Sequence, residues 1–259
     1  MKKFGGAVRA DLLAYVAVWM LAANGPAAAR DATEMTLAKG ARVGVVNLLD
    51  PEVTQFHSAK SLKDSFLKTR TVNWPVAVML GQALKDRLAE MGLVLVPVGG
   101  TNLLERSRED CFLNSAPGKG LPKECGPPFA ELAAAEHLDA IIALGPGLNN
   151  SAHAAGGRRK DLPDYLRGWG FVTGADASPS GKPTLFNMTE LLLFSVSPSG
   201  AVLRGREWGG NYTLEWADFM PPPDIKDLPQ QQVDQLQPLF GSLLSRQSSR
   251  LLDQLEVLR

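Results

Sequence analysis

The chain has 259 residues, a mass of 27.8 kDa and 27 basic against 27 acidic side chains. At 45% apolar and 21% charged residues it is too apolar for a disordered chain, and its balanced charge excludes a general nucleic-acid binder, which carries a basic excess. Two Cys and three His exclude a Cys-rich zinc module and an iron–sulfur protein.

The N-terminus has the order of an export signal. Lys2, Lys3 and Arg9 form a positive start, and Leu12 to Ala23 is an apolar run too short to span a bilayer. Gly25 and Pro26 break it, and Ala27-Ala28-Ala29 supplies the small residues a signal peptidase reads. Cleavage is expected between Ala29 and Arg30, so that residues 1–29 are a signal peptide and residues 30–259 one periplasmic or secreted domain. That removes three basic residues and one acidic one, leaving the exported chain slightly acidic. No later apolar run reaches membrane length, so the exported chain is not expected to span a membrane.

Arg42 to Leu49 is a β-branched run that reads as a strand buried on both faces. A polar stretch to Asn73 follows, in which Phe56, Leu62, Phe66 and Leu67 still call for packing. Pro75 opens a helix whose Val76, Met79, Leu80, Ala83, Leu84, Leu88 and Met91 recur at helical spacing, and Gly92 stops it. Leu93 to Val98 is a second strand. Cys111 and Cys125 then flank a Gly- and Pro-rich stretch. In an oxidising compartment the pair is expected to form a disulfide, since the spacing is wrong for a redox-active C-x-x-C. Pro127 and Pro128 open a second helix, and Asp139 to Leu144 is a third strand.

Gly145 to Asp161 has loop chemistry, and Tyr165 to Thr173 reads as a strand. Thr184 to Ser197 alternates, with Phe186, Met188, Leu192, Phe194 and Val196 on one side, the period of a half-buried strand. Ser197-Pro198-Ser199-Gly200 turns it into a hairpin partner over Ala201 to Trp208. A Pro-rich connection leads to a C-terminal helix over about 236–258, with Pro238 in its first turn or kinking it. The expected fold is α+β with an α/β-like start: β-α-β-α-β, then antiparallel strands, then a helix, in one mixed sheet with helices mainly on one face.

This order resembles the α/β domain shared by the N-terminal part of Tol-Pal translocation proteins, the curli-secretion channel family and several outer-membrane assembly lipoproteins. The likeness rests on VGVVNLLD, LKDRLAEMG, LVLVPV, AAAEHLDAIIALG and LLLFSVSPSGAVLRGREW, which are strand and turn patterns rather than chemical motifs. The lipid-bearing Cys of several relatives is absent, and Asp50 to Asn73 is longer than the usual first connection. The resemblance implies a non-enzymatic envelope role in which the domain docks other proteins.

Chemical motifs are few. His57, His137 and His153 are scattered, with no H-E-x-x-H and no G-x-S-x-G, so no catalytic residue, metal ligand set or cofactor is expected. His137 suits the end of a helix. His57 and His153, with Asp161 or Asp164, are the residues a metal site would need. Arg158, Arg159 and Lys160 follow the glycines of the loop after the third strand, where an open α/β sheet binds ligands, and would hold an anion there. Trp169, Trp208, Tyr212 and Trp216 are candidates for an interaction surface, against the alternative that they cap the core beneath the last helix.

Three functions follow. The first is an exported accessory or assembly factor of the cell envelope that binds envelope proteins without catalysis. The second is a periplasmic small-ligand or metal-binding protein or enzyme using loop 145–161. The third is an auxiliary subunit of an envelope transport system.

Overall fold

The run RVGVVN carries apolar side chains on both sides of the chain, and a strand of that kind is stable only inside a sheet covered on both faces. The computed structural model describes residues 35–60, 63–99, 121, 125–147, 166–174, 182–197, 200–209, 213–215 and 221–258, and it places this run at the centre of a parallel trio. Strand β1 is Met35–Ala38, β2 is Arg42–Asn47, β5 is Val94–Pro97 and β6 is Ala140–Pro146. β2 pairs in parallel with β5 on one edge and with β6 on the other. The intervening helices are α1, Val76–Glu90, and α2, Gly126–Glu136. Their ends follow the sequence. Pro75 precedes the first turn of α1, and Gly92, at φ +73°, accepts the left-handed turn that ends it. Pro127 and Pro128 stand in the first turn of α2, and His137 takes the left-handed position after its end, where it is exposed.

The polar stretch before α1 is a hairpin. β3, Glu52–Ser58, and β4, Phe66–Thr71, pair antiparallel from Glu52↔Thr71 to His57↔Phe66. β3 also pairs in parallel with β7, Gly168–Gly174, from Val53↔Trp169 onward. Thr54, Gln55 and Ser58 are therefore buried by neighbouring strands although their side chains are polar. Gly170 is required at its position, because a Cβ there would collide with the Thr54 carbonyl oxygen and the Phe186 ring.

β8, Thr184–Ser197, joins the two halves of the sheet. Its first part pairs with β7 and with β10, Thr213–Glu215; its second part pairs with β6 and with β9, Gly200–Trp208. Among the described residues the result is a nine-stranded mixed sheet. The expected half-buried character of this strand is corrected: Thr184 through Phe194 are all buried. The face carrying Leu185, Leu191 and Leu193 packs in the cluster with α1 and the C-terminal helix, and the face carrying Leu192 and Phe194 packs with α2. Among the described residues, two of the three α-helices thus share one face of the mixed α/β fold.

The C-terminal helix also differs from its expected span. α3 runs Gln230–Leu252, with Pro238 inside it. After Asp253 the chain leaves the helix and Leu255–Leu258 forms β11, which pairs in parallel with β1 from Met35↔Leu255 to Ala38↔Leu258. The leucine spacing runs on at helical period past Leu252, but Leu255 is buried from a strand. Residues 33–259 make one compact unit. Among the described residues no helix is long and apolar enough to cross a membrane.

Candidate functional site

Of the sequence-predicted site residues, Arg158, Arg159, Lys160, His153, Asp161, Asp164, Tyr212, Trp216, Cys111, Ala29 and Arg30 lie outside the described residues. Cys125 is buried against α2 at 1% exposure. Trp169 and Trp208 do not belong to an exposed surface, which corrects that expectation for these two. Trp169 is 3% exposed and stacks on Phe240 of α3 at 5.5 Å between ring centres, with Trp74 beside both. β7 and α3 close over it, so the sheet spends this indole on its core. Trp208 is 7% exposed, with the Arg206 guanidinium 5.2 Å from its ring centre. His57 is half-buried: its Nδ1 is 3.0 Å from Thr173 Oγ1 and its ring stacks on Phe66 at 4.9 Å. Among the described residues no three His, Cys, Asp or Glu side chains gather into a group able to hold a metal ion.

Two features that periodicity did not single out carry the chemistry. The first is a groove of about 600 Å3 at the N-terminal ends of β2 and β6. One wall is the continuous segment Met35 through Ala41, which is β1 and the turn after it. Asp139, Ser195 and Arg204 form the other wall. β1 pairs with β11 along one edge, and among the described residues no strand pairs with its other edge. Leu37 and Met35 are buried in the core, while Thr36 and Ala38 are exposed.

Arg204 reaches this groove through an irregularity in the β8–β9 ladder. Leu193 pairs with Gly205 and Phe194 with Leu203, so Arg204 is the extra residue of a β-bulge. Bulges redirect a side chain, and here the Arg204 Nε donates to Ser195 Oγ at 2.9 Å. Asp139 is engaged differently: its carboxylate accepts the Arg42 backbone N–H at 2.7 Å. The Arg42 side chain is directed to the end of α2, donating to the carbonyls of His137 and Glu136. The groove lies at the opposite end of β6 from loop 145–161.

The second feature is a set of buried polar side chains on β8. Asn187 and Thr189, on the α3 face, meet Gln247 of α3: Asn187 Nδ2 donates to Gln247 Oε1 at 3.2 Å, and Thr189 Oγ1 donates to Asn187 Oδ1 at 2.7 Å and lies 3.1 Å from Gln247 Oε1. Gln247 Nε2 donates to the carbonyl oxygens of Thr189 and Glu207 at 3.3 and 2.8 Å. This network is fully hydrogen-bonded and fixes how α3 sits on the sheet. Glu207 is held above the ordinary carboxyl range by burial, against the opposing pull of Arg250.

Glu190 points to the other face and is fully buried. Gly147 lies against it, since a Cβ on Gly147 would stand 2.9 Å from Glu190 Cγ and 3.0 Å from the Trp208 ring. Arg206 Nε is 3.3 Å from Glu190 Oε2, yet among the described residues neither carboxyl oxygen has a hydrogen-bond partner. The ion contact and the burial oppose one another, and burial wins: it pushes the Glu190 carboxyl from 4.5 up to about 8, with Arg206 pulling it back only in part. At neutral pH this acid is mostly protonated. The sequence signal was present but weak, a lone Glu on the side of β8 that otherwise carries Phe186, Met188, Leu192 and Phe194.

Comparison with known proteins places no relative beside these features: no family model, curated protein or solved structure matches the chain.

Proposed function

We propose that the protein is an exported accessory or assembly factor of the cell envelope that acts by binding other proteins. The observation that carries this reading is the groove lined by β1, whose second edge pairs with no strand among the described residues. Strand edges recruit extended segments of other chains through main-chain hydrogen bonds. An export-type N-terminus supports an envelope location for the docking surface, and the Cys111–Cys125 spacing fits an oxidising compartment. The resemblance to Tol-Pal, curli-secretion and outer-membrane assembly domains supports the same role, as does the order of elements, which an auxiliary subunit of a transport system would share.

The test is site-specific photo-crosslinking in the native envelope. A photoreactive residue at Thr36, in the groove, is expected to give one discrete adduct, and one at Lys85, on the outer side of α1, none. Absence of any stoichiometric partner from either position, and from affinity capture of the whole protein, would sink the proposal.

A second reading draws on Glu190. Buried acids with raised pKa gather at functional sites, and this one lies against Gly147 at the C-terminal end of β6, where open α/β sheets bind ligands. It favours a small-ligand role for loop 145–161. Titration with inorganic phosphate followed by calorimetry decides it: saturable binding that Glu190→Gln or an Arg158/Arg159 double alanine variant abolishes supports the role, and no heat of binding removes it.

A further inference from the structure

We propose that the segment after α3, Asp253 to Leu258, is a two-state strap: as β11 it holds β1 in place as the wall of the groove, and as a further stretch of α3 it lets β1 go. This rests on the docking role above and specifies how that site is regulated. The wall, Met35 to Ala41, contains the whole of β1. Among the described residues β1 and β11 make a two-stranded sheet of their own, joined by four residue pairs and separate from the nine-stranded sheet. An isolated two-stranded pair is marginal in water. What fixes β1 is therefore this pairing together with the burial of Met35 and Leu37.

The same segment carries the pattern of a helix. Leu251 and Leu252 are buried on the inner stripe of α3, and in a longer helix Leu255 and Leu258 would continue that stripe at spacings of three and four. The backbone already goes on as helix beyond the last residue of α3. Asp253 has φ −64° and ψ −15°, its N–H donates to the Ser249 carbonyl at 3.1 Å, and the Gln254 N–H donates to the Leu251 carbonyl at 3.1 Å. Arg87 of α1 meets the Asp253 carboxylate at 3.3 Å, so this residue belongs to the part that stays. The switch point is Gln254. Its Nε2 donates to the Arg206 carbonyl at 3.4 Å, in space that Gly205 leaves, since a Cβ there would stand 2.6 Å from Gln254 Oε1. From Leu255 onward, pairing with β1 opposes the helical period. Met35, Leu37 and Leu255 belong to one core cluster, so a helical end would offer its own leucines to the apolar surface that β1 leaves. Whatever draws β1 away therefore favours the helix, and whatever favours the helix loosens β1.

Two variants of the full chain move the balance in opposite directions. Glu256→Ala with Val257→Ala raises helix propensity and lowers strand propensity, and is expected to speed amide hydrogen exchange at Met35 to Ala38 about tenfold; Glu256→Thr does the reverse and is expected to slow it about threefold. In the double-alanine variant the Cα chemical shifts of Leu255 to Leu258 are expected to move toward helical values, while exchange in α1 and β8 stays as in the parent. Faster exchange in β1 without that movement would overturn the proposal, since the two strands would then only fray. So would exchange in β1 that neither variant changes. Should the double-alanine variant fail to fold, slower exchange in β1 of Glu256→Thr supports the strap and unchanged exchange overturns it. The site itself is read by the Thr36 photo-adduct in the native envelope, which the double-alanine variant is expected to lose by at least half. An undiminished adduct from a variant whose β1 exchanges faster would overturn the regulation and leave the docking role standing. No adduct from any of the three proteins would remove the docking role, and the regulation with it.

Discussion

Replacing Glu190 by Gln tests how the buried acid is charged. The substitution keeps shape and removes titration. In the folded protein the carboxyl is pushed up to about 8, because burial outweighs Arg206, whereas the unfolded chain titrates at the ordinary value of 4.5. Between those values the folded state holds a proton that the unfolded state has lost, so stability falls as pH rises across that window and levels off above it. One pH unit corresponds to about 1.4 kcal/mol, so the native protein forfeits about 3 kcal/mol by pH 7 and about 5 kcal/mol above pH 8, relative to pH 4. Glu190→Gln is neutral throughout. It is expected to match the native protein near pH 5 and to exceed it by about 3 kcal/mol at pH 7, with the gap widening to pH 8. Urea unfolding at pH 5, 6, 7, 8 and 9, with the slope on denaturant held common, reads this directly. Parallel stability curves for the two proteins would refute the reasoning. A variant less stable at every pH would show instead that Glu190 is ionised and that its contact with Arg206 is a stabilising ion pair.

Phe240→Ala removes a fully buried ring that touches both Trp74 and Trp169, and is expected to lower stability by about 3–5 kcal/mol with a red shift of tryptophan emission. Gln247→Leu removes the acceptor of Asn187 Nδ2 and the donor to the Glu207 carbonyl, and should lose about 2–3 kcal/mol in the same unfolding assay. Peptide mapping of the protein without reductant should recover Cys111 linked to Cys125, and reduction should lower stability by about 3 kcal/mol; two free thiols in that map would end the pairing. Lys68→Ala breaks a partly exposed pair with Asp224 at 2.8 Å and should change stability by less than about 1 kcal/mol.

Much of the fold was legible along the chain because its signals are local. Pro75 and Gly92 bracket α1, Pro127 and Pro128 open α2, and the turn after Ser197 joins β8 to β9 within a few residues of where spacing put them. The hairpin β3–β4 was not legible. VTQFHS and FLKTRT are too polar to announce buried strands, and what stabilises them is pairing with each other and, for β3, with β7 more than a hundred residues away. β11 was read as helix because Leu252, Leu255 and Leu258 recur at three residues, and only pairing with β1 at the far end of the chain overrides that period.

The candidate sites divide in the same way. By itself the sequence determined the parallel strands and the helices that connect them, and the scarcity of His and Cys, since each is a property of composition or of local spacing. Tertiary structure decided which residues face what. It buried Trp169 against Phe240, sealed Glu190 beneath Gly147 and Trp208, and brought Lys39, Asp139 and Arg204 to one groove. Burial and convergence depend on contacts between distant segments, and no local pattern encodes the desolvation that those contacts impose.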